Sequence, residues 1–147
     1  MGNNEKPAKD MRSRTTPEHV TSLDADEIFV FGSNLEGMHQ SGAARTAMQW
    51  GAVMGQGVGL QGQTYAIPTM FSTVQEIKPY VDDFIYFAEN HSELRFLVTK
   101  IGCGIAGFDQ LDMAHLFIKV LEKNIKNICI PEDFVIDIAI TLGLGKD

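Results

Sequence analysis

Twice in this chain a short, unbroken apolar run stops at a cluster of glycines. Glu27-Ile28-Phe29-Val30-Phe31 runs into Gly32-Ser33-Asn34. Arg95-Phe96-Leu97-Val98-Thr99 runs through Lys100-Ile101 into Gly102-Cys103-Gly104-Ile105-Ala106-Gly107. Runs of this length without polar alternation predict strands buried on both faces, and such strands belong to parallel sheets covered by helices. The intervening segments agree. Gly42 to Trp50 holds small residues suited to a helix packed closely on a sheet, and Gly51 to Gly62 reads as loop or irregular strand. Tyr65 to Pro68 is a brief strand that its proline ends. Val74 to Glu89 is the clearest helix, with Ile77, Val81, Phe84, Ile85 and Ala88 recurring at three and four residues. Leu111 to Lys123 reads as a further helix and Asn127 to Pro131 as a further strand. Phe134 to Leu142 is apolar and β-branched, so strand and helix stay open there, and Gly143 to Asp147 reads as a tail. Residues 1–20 are polar and aperiodic and are expected to form a flexible arm; residues 21–147 are expected to form one domain. The alternation of strands and helices predicts a three-layer α/β/α architecture around a mostly parallel or mixed central sheet.

Bulk properties narrow the function. A chain of 147 residues makes one ordinary domain. It contains no apolar run long enough to span a bilayer, and its polar start does not read as a secretory signal. Cys103 and Cys129 are too few for a disulfide framework or a four-cysteine zinc site, which points to a cytoplasmic protein. The net charge of −7 and the lack of a basic stripe argue against duplex DNA or RNA as a partner. A small phosphate-bearing ligand stays open, because backbone amides bind phosphate without basic side chains. Nothing in the sequence bears on oligomeric state.

Three segments could carry chemistry. Gly32 to Ala44 ends a strand and opens a small-residue helix, where free amides can face an anion; read plainly, it is a turn capped by Asn34 or Ser41. It lacks the Gly-Lys-Ser/Thr of a P-loop. Ile101 to Phe108 lets the backbone approach a ligand, or bend where side chains would clash. Phe108 then covers a flat ligand face or joins the core, and Asp109 caps the next helix. Gly55 to Gln63 holds Gln56, Gln61 and Gln63 among glycines, which suits either amide readout of hydroxyls and base edges or a solvated loop. Cys103, near a helix start, is a candidate nucleophile with His39 as its base, or simply a small residue in a tight loop. No His, Cys, Asp or Glu cluster has metal-ligand spacing.

Together the two glycine turns resemble those of the macro domain, the α/β module that binds ADP-ribose. Ile28 to Asn34 is similar to that family's strand ending in an asparagine, Gly37 to Ala44 to its first loop, and Ile101 to Phe108 to its second. With Gly55 to Thr69 added, the three motifs in this order resemble bacterial and phage macro-like proteins across about residues 27 to 131. The resemblance implies a crevice with two walls. Gly32, Ser33, Asn34, Gly37, Ser41 and Gly42 form one, with Asn34 on the distal ribose. Gly102, Cys103, Gly104, Ile105, Ala106 and Gly107 cradle the diphosphate, with Phe108 near the distal ribose. It implies a small nucleotide partner of ADP-ribose type, with no cofactor and no metal. If the domain is an enzyme, the implied activity is metal-independent hydrolysis of an ADP-ribosyl linkage, Asn34 positioning the ribose and His39 or a bound water assisting. The chain departs from hydrolytic relatives where they carry an aspartate at the start of the first helix, for its nearest match is Ser41. Asp24 and Asp26 are candidates for the adenine contact by proximity alone. The rival readings are a thiol-dependent hydrolase or transferase using Cys103, and a non-catalytic interaction module.

Overall fold

The computed structural model describes residues 11–143. Among these, one sheet holds β1 (Thr15–Thr16), β2 (Glu27–Ser33), β3 (Gly59–Gln61), β4 (Thr64–Pro68), β5 (Arg95–Val98) and β6 (Ile128–Pro131), in the order β1-β6-β5-β2-β4-β3. Every pairing is parallel except that of β3 on β4, so the sheet is mixed. β2 lies at its centre, with Val30 opposite Tyr65 of β4 on one side and Val98 of β5 on the other. The helices are α1 (Gly42–Ala47), followed by a 3-10 turn at Met48–Trp50, then α2 (Val74–Glu89), α3 (Gln110–His115), α4 (Ile118–Glu122) and α5 (Glu132–Leu142).

Side-chain alternation along the strands divides the core into two unequal parts. Ile28, Val30, Phe96, Val98, Ile128 and Ile130 face the larger cluster, which α2, α3, α4 and α5 complete through Phe84, Met113, Val120 and Phe134. Phe29, Phe31 and Ala66 face the other way, onto Ala44 and Ala47 of α1. Small residues let α1 lie close to the sheet, but it is short and covers only the β2 and β4 side. Over β5 and β6 the same face is crossed by the segment 12–21, which acts as a strap. Cys129 Sγ lies 3.6 Å from the Ser13 carbonyl beneath it.

The strap is pinned at several points. Thr15–Thr16 pair with Ile130 and Pro131, and Thr16 Oγ1 donates to the Cys129 carbonyl at 3.0 Å. Arg12 binds Asp24 at 3.1 Å and Asp26 at 2.9 Å. Arg95, nearly buried, pairs with the buried Glu27 and donates to the Ser13 carbonyl. The flexible arm expected over residues 1–20 therefore contains, in its described part, a paired strand; residues 1–10 lie outside the described residues. Its attachments are charges and main-chain bonds, which leave no hydrophobic period to read.

One further element differs from the periodicity reading, and two that it left open take a definite form. The helix expected over Leu111 to Lys123 is two helices, broken at Leu116 and Phe117. Met113, Ala114, Leu116, Phe117 and Val120 are buried at the spacing of one helical face, which is why the sequence reads as one helix; the backbone departs from helical geometry at Phe117, with φ −103° and ψ 15°. The open segment after Pro131 is a helix. Glu132 and Asp133 suit its first turn and Gly143, at φ 75°, ends it. Its strand-like look comes from Ile136 and Ile140, which are exposed. Within the glycine-rich stretch, Gly59–Gln61 form the edge strand β3. By contrast α2 spans the expected residues, opened by a reciprocal Thr73–Glu76 capping box.

Glu27 sits beside Arg95 where little water reaches. Glu27→Ala leaves the Arg95 guanidinium buried without its carboxylate, and is expected to cost about 3 kcal/mol in urea unfolding. A loss below about 1 kcal/mol would mean that the Ser13 carbonyl alone satisfies Arg95.

Candidate functional site

The register of β2 on β5 decides the geometry of the site. Both strands run the same way and end at the same edge, where the Thr99 amide donates to the Val30 carbonyl at 3.1 Å. The two glycine turns that leave them are therefore neighbours. Gly32 is where they touch, since a Cβ there would lie 3.2 Å from Ile101 Cγ1 and 3.2 Å from Thr69 Oγ1. Ligands of open α/β sheets bind outside this carboxyl edge.

The first turn is held by its own side chains. The Met38 amide donates to Asn34 Oδ1 at 2.9 Å and the Gly37 amide to the Asn34 carbonyl at 3.0 Å. Asn34, the residue assigned to the distal ribose, is half-buried and uses its carboxamide oxygen to close this turn. Ser33 is buried and its hydroxyl donates to the Gly57 carbonyl. Ser41 and Gly42 are exposed at the start of α1, and the Ser41 side chain makes no cap bond there.

The glutamine-rich segment is packed against this turn. At Gly37, φ is +72° and a Cβ would lie 2.3 Å from the Gln56 nitrogen; at Gly57 it would lie 2.1 Å from the Asn34 carbonyl oxygen. The two backbones thus meet without room for side chains. The glutamines brace the loop from inside. Gln61 accepts from the Val53 amide at 2.6 Å and donates to the Gln56 carbonyl at 3.1 Å. Gln56 donates to the Val58 and Leu60 carbonyls, each at 3.2 Å, and Gln63 to those of Asp24 and Glu27, each at 3.0 Å. These amides satisfy main-chain carbonyls, a use that neither the ligand-reading nor the solvated-loop expectation included.

His39 lies inside the same contact and is 2% exposed. Its Nε2 is 3.0 Å from the Gln56 carbonyl, so that nitrogen carries the proton, and its ring meets Phe31 edge-on at 5.2 Å. Among the described residues Nδ1 has no partner. An enclosed imidazole of this kind joins two loops and has no open path to a substrate.

The second turn is more open. Gly102, at φ +78°, is buried where a Cβ would lie 2.6 Å from the Met113 side chain, so it seats the turn on α3. The Gly107 amide donates to the Gly104 carbonyl and the Phe108 amide to the Gly102 carbonyl, both at 2.9 Å. Among the described residues the amides of Cys103, Gly104, Ile105 and Ala106 meet no backbone acceptor. A Cβ at Gly104 would meet nothing within 4 Å, and Ile105 is 74% exposed. Phe108 packs half-buried on the larger core, and Asp109 caps α3 by accepting from the Leu111 amide at 3.3 Å. Cys103 also packs on that core, and burial is the largest influence on its thiol, pushing its pKa up. Lys100 nearby opposes this without reversing it. A raised thiol pKa is the opposite of the thiolate stabilisation that a nucleophile needs.

A cavity of about 1010 Å³ opens at the same edge of the sheet, under the strap. Phe29 lies in its floor, with Thr46 of α1, Val20 of the strap, and Thr99, Lys100 and Asp133 beyond the ends of β5 and β6. A smaller one of about 300 Å³ continues toward Arg12 and Arg95, sharing Thr15, Pro17, His19, Val20 and Thr21 with the first. Of the segments selected from the sequence only Ala43 lines the first cavity, joined there by Lys100, and none of the residues assigned to a ligand lines either. The strap residues went unselected because they carry no glycine and no periodicity; the β-branched pair Thr15-Thr16 was their one local signal. Asp24 and Asp26 bind Arg12 at the opposite, amino edge of β2. Among the described residues no three His, Cys, Asp or Glu side chains gather as around a metal ion, and no helix is long and apolar enough to cross a membrane.

No protein-family model, curated protein or solved structure matches this chain.

Two outcomes follow from the packing of the turns. Gly37→Ala is expected to destabilise by about 2 kcal/mol, read as a fall in melting temperature, while Gly104→Ala stays within about 0.5 kcal/mol of the parent. Iodoacetamide should modify Cys103 slowly at neutral pH, its rate rising only above the range of an ordinary thiol; a rate plateau already reached near pH 7 would mean a stabilised thiolate.

Proposed function

We propose that this chain binds a nucleotide of ADP-ribose type between its two glycine turns, as a macro-like α/β/α domain. The observation that carries this reading is the parallel pairing of β2 with β5, which puts the two turns side by side at the carboxyl edge. The amides from Cys103 to Ala106, which meet no backbone acceptor among the described residues, support a diphosphate there, since main-chain N–H groups hold an anion without basic residues. The open space at Gly104 supports close approach by a ligand. The adjoining cavity, of about 1010 Å³, is of a size that receives small ligands.

The proposal is for binding ahead of turnover. Hydrolysis of an ADP-ribosyl linkage needs a group that activates water, and His39 is enclosed by protein. The buried character of Cys103 weighs against a thiol mechanism. Asn34 keeps a ribose-positioning role in this reading through its amide nitrogen, which lies 3.5 Å from the Met38 carbonyl and holds that contact weakly.

The test is thermal denaturation with ADP-ribose, NAD and AMP. A ligand at about 100 times its Kd adds about 2.7 kcal/mol of stability. ADP-ribose is expected to raise the melting temperature more than AMP does. Gly104→Val, which fills open space without touching the fold, should remove the shift. No shift with any of the three nucleotides would overturn the reading.

A further inference from the structure

The mouth of the large cavity carries a lysine whose partner holds it loosely. Lys100 follows β5 directly and stands two residues before Gly102, between Thr99 and the second glycine turn. Its Nζ lies 2.8 Å from Asp133 Oδ2, and the two side chains are 48% and 55% exposed. An ion pair so open to water contributes less than about 1 kcal/mol and exchanges readily. The Asp133 hydrogen bond raises the lysine pKa, so the group is fully charged at neutral pH. Lys100 and Glu18 of the strap line the same cavity.

The surroundings give this one cation weight. Among the described residues Lys100 is the only lysine or arginine that lines the large cavity, whose other charged groups include Glu18, Glu132 and Asp133. The chain as a whole carries −7. For an anionic ligand at this edge, the Lys100 ammonium is the cationic side chain that the lining of this cavity offers among the described residues. The four-carbon stem of a lysine lets its ammonium swing between partners without a change in backbone.

We propose that Lys100 is the anion-binding side chain of this site, leaving Asp133 for the phosphate of a bound nucleotide, with Asp133 its competitor in the empty state. The inference rests on the reading of the crevice as a nucleotide site and adds the residue that sets its preference for anionic ligands. It gives Asp133 a sign opposite to that of an ordinary binding residue, because removing it should free the lysine.

Calorimetric titration of the full chain with ADP-ribose tests this through a double-mutant cycle. Lys100→Gln is expected to weaken binding about tenfold, the loss of one charge-assisted hydrogen bond, and Lys100→Arg to restore most of it. Asp133→Asn is expected to tighten binding about threefold, within the range of an exposed ion pair. In the Lys100→Gln background Asp133→Asn should change nothing, since no lysine is left to release. An equal gain from Asp133→Asn in both backgrounds would reduce the effect to bulk charge and overturn the exchange. Binding that Gly104→Val removes but Lys100→Gln leaves intact would overturn this inference and leave the nucleotide site standing. Absence of binding by the parent chain would overturn both.

Discussion

One parallel ladder, β2 on β5, organises both ends of the molecule. Its register sets Glu27 opposite Arg95 at the amino edge and Val30 opposite Val98 near the carboxyl edge. At the first edge it creates a buried ion pair, which in turn holds the strap through the Ser13 carbonyl. At the second it sets the two glycine turns against one another. A slip of one residue would separate Glu27 from Arg95 and reverse which side chains reach the larger core. The charges of the amino edge and the candidate site of the carboxyl edge are thus two results of one pairing.

The two faces of the sheet are covered unequally, and the cavities follow from that. On the face of Ile28 and Val30 four helices build a continuous apolar core. On the face of Phe29 and Phe31 the six-residue α1 covers only part of the sheet. A polar strap crosses the remainder, and the cavity is lined by its residues from Thr15 to Thr21. The strap is held by main-chain bonds, the Thr16 hydroxyl and arginines, and Val20 is its hydrophobic contact with the cluster on this face. The cavity of about 1010 Å³ therefore lies at the edge of the sheet from which the two glycine turns leave.

The glutamine-rich segment shows how composition can mislead about role. Three glutamines among glycines suggest readout of a ligand, yet their amides are directed at carbonyls of their own loop and of the start of β2. A chain that folds back without a helix or a long ladder leaves many carbonyls unpaired, and side-chain amides are a neutral means of satisfying them. His39 belongs to the same arrangement, its Nε2 on the Gln56 carbonyl. Residue types alone could not separate a catalytic imidazole from a structural one, since the distinction is burial, and burial here comes from a loop that meets His39 only after the chain has doubled back.

The sequence by itself determined β2, β4, β5 and β6, the longest helix and the two turns. Apolar runs, the Val74–Glu89 period and glycine clusters are local signals, set by residues close together along the chain. What only the tertiary structure decided is which strands became neighbours, where the strap lies, how the Leu111 to Lys123 helix breaks, and that Lys100 faces a cavity alongside Asp133. Each depends on contacts between residues far apart in sequence, such as Ser13 with Arg95 and Thr16 with Cys129. The free energy of those contacts comes from charge pairing and burial, neither of which exists until the distant segment arrives.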